Sequence, residues 1–273
     1  MTRTIVITGA SDGIGAASAR QLHEAGEEVV VVGRDPRKTD AVARALGVDS
    51  FVADYSDLSQ VRELAASLSA AYPRIDVLAN NAGGAFGERV LTVDGYEYTF
   101  QVNHLAGFLL TNLLRDRLIE SRASVIQTSS EASRHFTRFD IDDLQGTKKY
   151  SARAAYGNAK LENILFTKEL DRRYGQAGIS AVAFHPGLIA TSFASGARGS
   201  WRFMYTNRLM KRFLDSSDVG GSRLTWLALG KPGVDWKPGE YYADNRLART
   251  NRLAEDPAIA KLLWNRSAEM VGL

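Results

Sequence analysis

The sequence predicts an α/β protein whose single parallel sheet is doubly wound, with helices packed on both faces. Short apolar segments alternate with helical patterns along the chain, which is the arrangement of a covered parallel sheet. The first segment, residues 5–7, is apolar at every position, as in a strand buried on both faces. Gly9, Gly13 and Gly15 follow it in TGASDGIG and precede a helical pattern. Such a turn lets the backbone approach a ligand closely at the N-terminus of a helix.

The composition fits one domain of residues 1–273 and excludes several classes of protein. Of the 273 residues 45% are hydrophobic, and the formal net charge of +3 is too small to indicate nucleic-acid binding. There is no cysteine, which excludes a disulfide framework, a thiolate nucleophile and a cysteine-bound metal. The first strand begins at Thr4, leaving no room for a signal peptide, and no apolar run approaches the ~20 residues of a membrane-spanning helix. We therefore expect a soluble, cytoplasmic protein.

The first half of the chain follows the alternating pattern closely. Further strands are predicted at Glu28–Gly33, at residues 50–53 and at residues 75–79. A helix is predicted over Pro36–Leu46, with its proline in the first turn. The next helix carries one apolar face, formed by Leu58, Val61, Leu64 and Leu68. The fourth strand ends in NNAGG, residues 80–84, at the edge where open α/β sheets bind ligands.

The second half continues the pattern with one irregular stretch. Helices are predicted over residues 100–119, 154–174, 218–229 and 256–270, and strands over Ser124–Thr128, residues 179–184 and residues 241–242. Residues 131–150 are polar and irregular, and residues 192–216 mix aromatic side chains with arginines. We find no internal repeat and no linker rich in proline, glycine or serine. One domain is the simplest interpretation.

Several residues could bind a dinucleotide, and each has a simpler alternative. The glycine spacing is GxxxGxG rather than GxGxxG, and such a turn can also be only a tight connection. Arg34 follows the second strand, where an arginine can pair with a 2′-phosphate; Asp35 could neutralise it, and Arg37 and Lys38 could add charge. Asp54, at the end of the third strand, could accept a hydrogen bond from adenine or serve as a turn residue.

Tyr156 and Lys160 are candidates for proton transfer, although tyrosine and lysine at this spacing also occur by chance on many helices. Residues four apart share one face of a helix, about 5–6 Å apart at Cβ. A phenol has an ordinary pKa of about 10, and a nearby ammonium lowers it toward a range useful for proton transfer. Ser130, at the end of the fifth strand, could hold a substrate oxygen or cap a helix. Asn103 is a poor helix former inside a predicted helix, so its side chain could bind a backbone carbonyl or water, or face solvent.

Other titratable residues give weaker signals. The four histidines, His23, His104, His135 and His185, lack metal-ligand spacing and are interpreted as structural. The acidic residues at 140, 142 and 143 fit a solvated loop better than a metal site, so no metal is expected. A Gly-x-Ser-x-Gly elbow is absent, which weakens an esterase interpretation.

Taken in order, these motifs resemble the short-chain dehydrogenase/reductase family. The matches are TGASDGIG, NNAG, Asn103, Ser130, YGNAK and HPGLIAT, and they extend over nearly the whole chain. Within the family, NNAGG, VNHLAGFLLTNLL, KLENILFTKEL and LLWNRSAEMVGL are similar to the retinol dehydrogenase branch. Ala159 stands where the family often has serine, and Glu162 where that branch usually has alanine. Neither change removes a catalytic group.

The resemblance implies a Rossmann-type fold and a role for each matching residue. Tyr156 would be the general acid/base, Lys160 would lower its pKa and bind the nicotinamide ribose, Ser130 would orient the carbonyl or alcohol, and Asn103 would hold a water. Cofactor contacts would come from Tyr156 and Lys160 and from Gly9, Ser11, Asp12, Gly13, Ile14, Gly15, Arg34, Asp54, Asn80, Ala82, Gly83, Pro186, Gly187, Ile189 and Thr191. The hydride chemistry belongs to the nicotinamide.

The main interpretation is an NADP(H)-dependent oxidoreductase that interconverts an alcohol and an aldehyde or ketone. One alternative is a catalytically idle dinucleotide-binding regulator, against which the complete set of four catalytic candidates argues. A sugar-nucleotide epimerase or dehydratase is a third, for which the chain after Thr191 looks too short. The resemblance implies that residues 192–216 form a lid over the substrate, and their aromatic side chains suggest that this substrate is lipophilic. Their basic neighbours suggest a peripheral membrane contact, or an acidic group on the substrate; alternatively the aromatic side chains pack onto the domain and the arginines are solvated. The resemblance also suggests a homodimer through the helices of residues 100–119 and 154–174.

Overall fold

The computed structural model describes residues 2–189 and 215–273. Its strands form one sheet in the order β3-β2-β1-β4-β5-β6-β7-β8. The strands are Thr4–Thr8 (β1), Glu28–Gly33 (β2), Ser50–Val52 (β3), Val77–Asn80 (β4), Ser124–Thr128 (β5), Ser180–His185 (β6), Tyr241–Ala243 (β7) and Arg246–Leu247 (β8). Neighbouring strands are parallel except β7 and β8, which are antiparallel. The predicted doubly wound α/β fold is confirmed.

The helices lie on both faces of this sheet. They are Gly13–Glu24 (α1), Pro36–Leu46 (α2), Leu58–Ala71 (α3), Tyr98–Phe100 (α4), Ala106–Leu113 (α5), Arg115–Ser121 (α6), Ala132–His135 (α7), Ala152–Tyr174 (α8), Ser217–Leu229 (α9) and Pro257–Val271 (α10). Local signals set several of their ends. Asp35 caps the first turn of α2 with Pro36 directly after it, and Asp256 does the same before Pro257 in α10.

Two apolar cores separate the layers. One face of the sheet packs against α1 and α9, where Leu22 and Leu224 are fully buried beside Ile5 and Ile7. The other face packs against α3, α5, α8 and α10. The central strand β1 is buried along its whole length, as its unbroken apolar sequence predicts. This sandwich leaves the carboxyl ends of the parallel strands together at one edge.

The predicted helix over residues 100–119 is present but is not continuous. A π-helical turn at Gln101–Leu105 separates α4 from α5, and Leu114 interrupts the helix before α6. The Nδ2 of Asn103 donates to the carbonyl oxygen of Thr99, 2.9 Å away, and so occupies the acceptor that the α-helical ladder would use. Asparagine therefore does bind a backbone carbonyl here, one of the possibilities its helical position suggested.

The sequence pattern did not predict two further features of the fold. Strand β8 pairs with β7 across a turn in which Asp244 and Asn245 both have positive φ, 51° and 58°, as two-residue hairpins require. Within the polar residues 131–150, one helical turn forms at Ala132–His135. The rest of that stretch is irregular, as predicted.

The C-terminal helix α10 covers the outer surface of α5 and α8. Trp264 stacks near Phe108 and Phe166, with ring centroids 5.0 Å and 5.6 Å away. The buried imidazole of His104 lies 3.0 Å from the Ser267 hydroxyl, and burial lowers the pKa of His104 to about 4. His104 is therefore structural, as predicted, and this face of the helices is occupied by the chain itself.

The predicted substrate segment, residues 192–216, lies outside the described residues except for Asp215 and Ser216. Thr191 also lies outside them. Within residues 2–189 and 215–273, the helices lack the combination of length and apolar character that crossing a bilayer requires.

Candidate active site

A cleft of about 830 Å³ opens at the carboxyl ends of the parallel strands. Strand order reverses between β1 and β4, because β1 pairs with β2 on one side and with β4 on the other. A crevice at this switch point is where open α/β sheets bind ligands. The predicted residues on its wall are Gly9, Ser11, Asp12, Gly13, Ile14, Gly15, Arg34, Asp54, Ala82, Gly83, Ser130, Tyr156, Lys160, Pro186, Gly187 and Ile189.

One end of the cleft is formed by the glycine turn and the N-terminus of α1. A side chain at Gly15 would place its Cβ 2.4 Å from the Gly9 carbonyl oxygen, so the turn closes tightly on itself. Asp12 caps α1: its carboxylate accepts from the Gly13 N–H at 2.8 Å. The same carboxylate pairs with Lys38 Nζ at 2.9 Å. A helix N-terminus with a lysine beside it fits a phosphate-bearing ligand.

Arg34 lies on the cleft wall next to this turn. Its Nη1 donates to the Tyr98 hydroxyl at 3.0 Å. The neighbouring Asp35 carboxylate accepts from the N–H groups of Arg37 and Lys38 at the start of α2, and these hydrogen bonds hold its pKa below the usual range. Asp35 thus serves as a helix cap, while Arg34 faces the cleft.

Asp54 also lies on this wall, and it holds the turn after β3. Its Oδ1 accepts from both the backbone N–H and the hydroxyl of Ser56, at 2.9 Å and 2.8 Å. Asp54 can therefore be both a turn residue and an adenine-binding residue, because one carboxylate oxygen holds the turn while the residue also borders the cleft.

Asn80, predicted to contact the cofactor, is not among the residues that line the cleft, so that contact stays a prediction. Asn80 is buried below the cleft, where its Nδ2 donates to the Thr111 hydroxyl at 2.8 Å. The next residue, Asn81, forms the wall instead and ties three strand ends together. Its Nδ2 donates to the Thr8 carbonyl oxygen at 3.0 Å, and its Oδ1 accepts from the Thr128 hydroxyl at 3.1 Å. Alternation of side chains along β4 turns Asn80 into the core.

Tyr156 and Lys160 lie together at the other end of the cleft. The Lys160 Nζ is 5.6 Å from the centroid of the Tyr156 ring, as their spacing on α8 predicts. The Tyr156 ring is only 5% exposed and packs with Ala85 and Ala132. A Cβ at Gly157 would lie 2.9 Å from the Ala132 carbonyl oxygen, so glycine in YGNAK lets α7 pack directly on α8.

Lys160 is a buried cation held by backbone. Its side chain is 2% exposed, and its Nζ donates to the Thr128 carbonyl oxygen at 3.1 Å. Burial lowers the pKa of Lys160 from 10.5 to about 7. Glu162, two residues on, is fully buried, and burial together with nearby Glu97 raises its pKa well above the usual range. Burial therefore disfavours the charged form of the Glu162 carboxyl group, and residues two apart on a helix do not face each other.

Asn103 lies behind the cleft wall, where it braces the loop after β4. Its Oδ1 accepts from the Gly84 N–H at 3.1 Å, and its Nδ2 donates to the Gly84 carbonyl oxygen at 2.9 Å. Asn163, which the sequence analysis missed, joins this region to the lysine. Its Nδ2 donates at 3.1 Å to the carbonyl oxygens of both Asn103 and Thr128. The water-binding role of Asn103 stays a prediction.

Ser130 borders the same end of the cleft and lies two residues before α7. Its Oγ accepts from the Ala132 N–H at 3.2 Å, so it is also the turn serine that the alternative described. Four titratable residues on this wall were missed: Glu131, His135, Arg153 and His185. His135 and His185, interpreted as structural from the sequence, thus border the cleft, and whether they have a further role stays open. The ring of His135 lies 3.4 Å from the Glu131 carboxylate, one helical turn away.

Apolar side chains complete the wall near Tyr156. Phe86, Phe136 and Leu188 line this end, and the Arg153 guanidinium stacks over the Phe136 ring with its carbon 5.0 Å from the ring centroid. The cleft thus has a polar, partly cationic end at the glycine turn. At the end around Tyr156, the apolar side chains of Phe86, Phe136 and Leu188 lie on the wall together with the four titratable residues. Across residues 2–189 and 215–273, the acidic and histidine side chains form no group of three or more placed to hold a metal ion.

The geometry fits a nicotinamide dinucleotide, with phosphates at α1 and the reacting ring beside Tyr156 and Lys160. Fold and site together define a dinucleotide-dependent oxidoreductase. The profile of the family described as short chain dehydrogenase matches residues 3–200. The chain belongs to this family, whose members bind a nicotinamide dinucleotide and act on alcohol or carbonyl groups.

Two similar proteins extend over the whole chain. A Streptomyces sp. (strain C5) protein named "Putative daunorubicin C-13 ketoreductase DnrU" is 44% identical over 277 residues, covering 99% of this chain and 93% of the relative. Human retinol dehydrogenase 13 is 35% identical over 282 residues, covering 99% and 85%. The predicted similarity to the retinol dehydrogenase branch is confirmed.

A solved structure of an uncharacterised protein from Mycobacterium paratuberculosis is similar in fold and sequence. It shares 33% identity with a TM-score of 0.79, covering 99% of this chain and 93% of that one.

Proposed function

We propose that this protein is an NADP(H)-dependent reductase of a bulky, largely apolar ketone. The observation that carries the proposal is one cleft in which Ser130, Tyr156 and Lys160 border an apolar end and Arg34 borders the opposite end. The name of the relative at 44% identity refers to reduction of a ketone, which favours a carbonyl substrate over a simple alcohol. Nicotinamide, when bound, supplies the hydride.

The chain's own residues would handle the proton and the carbonyl oxygen. Ser130 would donate a hydrogen bond to that oxygen, and the Tyr156 hydroxyl would pass its proton to it as the alcohol forms. The ammonium of Lys160 would stabilise the resulting phenolate, since an opposite charge nearby favours the ionised form. Phe86, Phe136 and Leu188 would exclude water from the reacting group.

The direct test is turnover with purified protein. We expect NADPH oxidation with polycyclic or long-chain ketones, and much slower oxidation with acetone, because the apolar wall recognises apolar area. The measurement is nicotinamide absorbance at 340 nm across a series of ketones of increasing size, with both NADPH and NADH. Tight NADPH binding without turnover of any ketone, aldehyde or alcohol would favour the idle regulator instead.

The preference for NADP(H) is proposed from Arg34 and Lys38. Both line the cleft beside the end of β2, and Lys38 could exchange Asp12 for a 2′-phosphate. We expect Arg34→Ala to weaken NADPH binding by about tenfold to a hundredfold, the scale of one lost charge-assisted contact, and NADH binding by less than about threefold. Dissociation constants from nicotinamide fluorescence check this.

Two control variants separate the charge from other effects. Arg37→Ala removes a neighbouring arginine that lies off the cleft wall, and Tyr98→Phe removes the hydroxyl that Arg34 contacts but keeps the guanidinium. Both should leave NADPH binding nearly unchanged. An equal loss of NADPH and NADH affinity in Arg34→Ala would contradict a role in cofactor preference.

Assembly and location stay predictions. A homodimer through α5 and α8 would have to use the faces of these helices that α10, packed on both through Trp264, leaves uncovered. The cytoplasmic location, the peripheral membrane contact and the lid of residues 192–216 rest on the sequence pattern alone.

A further inference from the structure

The turn after β6 is held from behind by a single guanidinium. Nη1 of Arg223, on α9, donates to the Pro186 carbonyl oxygen at 2.5 Å and to the Asp215 carboxylate at 2.8 Å. Its Nη2 pairs with the carboxylate of Asp244, in the turn between β7 and β8. The Arg223 side chain is only 15% exposed and lies behind the cleft wall rather than on it.

The backbone of this turn is in direct contact with the guanidinium. Gly187 has a φ of +101°, and a Cβ there would lie 2.0 Å from Nη1 of Arg223 and 2.6 Å from Oδ2 of Asp215. Only glycine fits both the conformation and the space. The Arg223 guanidinium therefore occupies the space that a side chain at residue 187 would need. It packs directly on the backbone of a turn that borders the cleft.

Asp215 also contacts the backbone of this turn directly. The Asp215 N–H donates to the Leu188 carbonyl oxygen at 2.8 Å, and Asp215 forms a parallel bridge with Ile189. A Cβ at Gly220, on α9, would lie 2.9 Å from Ile189 and 3.0 Å from Ile14. One helix thus supports Ile189 on one wall of the cleft and Ile14, in the glycine turn, on the other.

The charges around Arg223 indicate that it is not an anion-binding group. Two carboxylates, Asp215 and Asp244, surround its one positive charge. An arginine bridging two carboxylates and a carbonyl oxygen has its donors committed in a fixed planar fork. Its effect on a ligand must therefore pass through the turn of residues 186–189.

We propose that Arg223 is a positioning residue that fixes the turn of residues 186–189 against the nicotinamide end of the cofactor. The inference rests on the proposed dinucleotide-dependent reduction. Loss of the guanidinium frees the Pro186 carbonyl and the Gly187 backbone, so the reacting ring is held less precisely beside Tyr156. Small misplacements of a reacting group are costly in rate, about a hundredfold for roughly 1 Å.

The test compares Arg223→Met and Arg223→Lys with the unmodified protein, using NADPH and the best ketone from the substrate series. In Arg223→Met we expect kcat to fall about tenfold to a hundredfold and the Kd for NADPH to rise by up to about tenfold, while KM for the ketone changes little. Arg223→Lys keeps the charge without the fork and should be intermediate. The pH midpoint of kcat should not move.

Arg20→Met is the matched control. Arg20 pairs with Asp218 at 2.6 Å on the exposed side of α9, so its loss loosens α9 without touching the turn. Similar losses of kcat in Arg20→Met and Arg223→Met would overturn the inference. So would normal kcat and NADPH binding in Arg223→Met. If Arg223→Met does not fold, Asp244→Asn removes one of the two carboxylates that hold the guanidinium. We then expect kcat to fall by about twofold to fivefold, and an unchanged kcat would contradict the inference.

The outcomes also separate this inference from the proposed function. An unmodified protein that neither binds NADPH nor reduces a ketone overturns both proposals. An unmodified protein that does both, with an Arg223→Met variant that matches it, overturns the positioning role alone.

Discussion

Tyr156→Phe is expected to lower kcat by about 10²–10⁴-fold, the contribution that general acid/base catalysis typically makes. The phenol is the proposed proton donor at the apolar end of the cleft, and phenylalanine removes only its hydroxyl. The ring, 5% exposed and packed against Ala85 and Ala132, stays in place. NADPH affinity and the melting temperature should therefore change little. Steady-state kinetics with the best ketone, together with NADPH titration, measures both effects.

Tyr150→Phe is the appropriate control for loss of a tyrosine hydroxyl. The Tyr150 hydroxyl donates to the Gly87 carbonyl oxygen and the Glu97 carboxylate, at 3.3 Å and 3.2 Å, away from the cleft wall. This variant should keep most of its turnover. Residual activity in Tyr156→Phe within tenfold of the unmodified protein would show that the proton comes from another group.

Lys160→Met is expected to abolish most turnover and yet to stabilise the fold at acidic pH. Burial lowers the pKa of Lys160 from 10.5 to about 7, so the folded protein carries a cost for keeping the ammonium charged. A shift of this size corresponds to roughly 4–5 kcal/mol when both states are protonated. The lost hydrogen bond to Thr128 offsets about 1 kcal/mol. Urea unfolding at pH 6 should show a net gain of about 3 kcal/mol.

The direction of the Lys160 pKa shift determines the pH range over which Lys160→Met is more stable than the unmodified protein. The cost applies in full below pH 7, where the folded lysine is charged, and shrinks between pH 7 and 10.5 as the folded lysine loses its proton first. The advantage of Lys160→Met should therefore fade between pH 6 and pH 9. Lys168→Met, on the same helix, removes a lysine paired with Glu255 at 3.2 Å and should show no such gain. A variant less stable at pH 6 than the unmodified protein would refute the buried-charge account.

The sequence predicted the sheet and the pairing of Tyr156 with Lys160 on α8, because both depend on the spacing of nearby residues. The unbroken apolar sequence of β1 required burial on both faces, and four-residue spacing on a helix required Tyr156 and Lys160 to share one face. The glycine turn was located for the same reason, since it joins a buried strand to a helix. Such features can be predicted without knowing which residues pack against them.

Features that depend on distant partners escaped prediction. The choice between Asn80 and Asn81 turned on which side of β4 each faces, and the sequence NNAGG does not state it. His135 and His185 reach the cleft only because α7 and the turn after β6 converge there. Arg223 is 37 residues from Pro186 in sequence and contacts its carbonyl oxygen directly from α9. The π-helical turn was missed because no feature of the sequence shows that the Asn103 side chain donates to the Thr99 carbonyl oxygen within it.

That π-helical turn also limits how this chain can change in length. Deleting one residue within Gln101–Leu105 would let the α-helical ladder close without interruption, which is locally the more favourable backbone. Each residue advances a helix by about 100°, however, so the deletion would rotate Asn103 away from Gly84 or turn the fully packed Phe108 out of the core. Removing one residue would therefore improve the local helix but break either the Asn103–Gly84 hydrogen bonds or the packing of Phe108. This segment could be shortened only together with compensating changes before and after the π-helical turn.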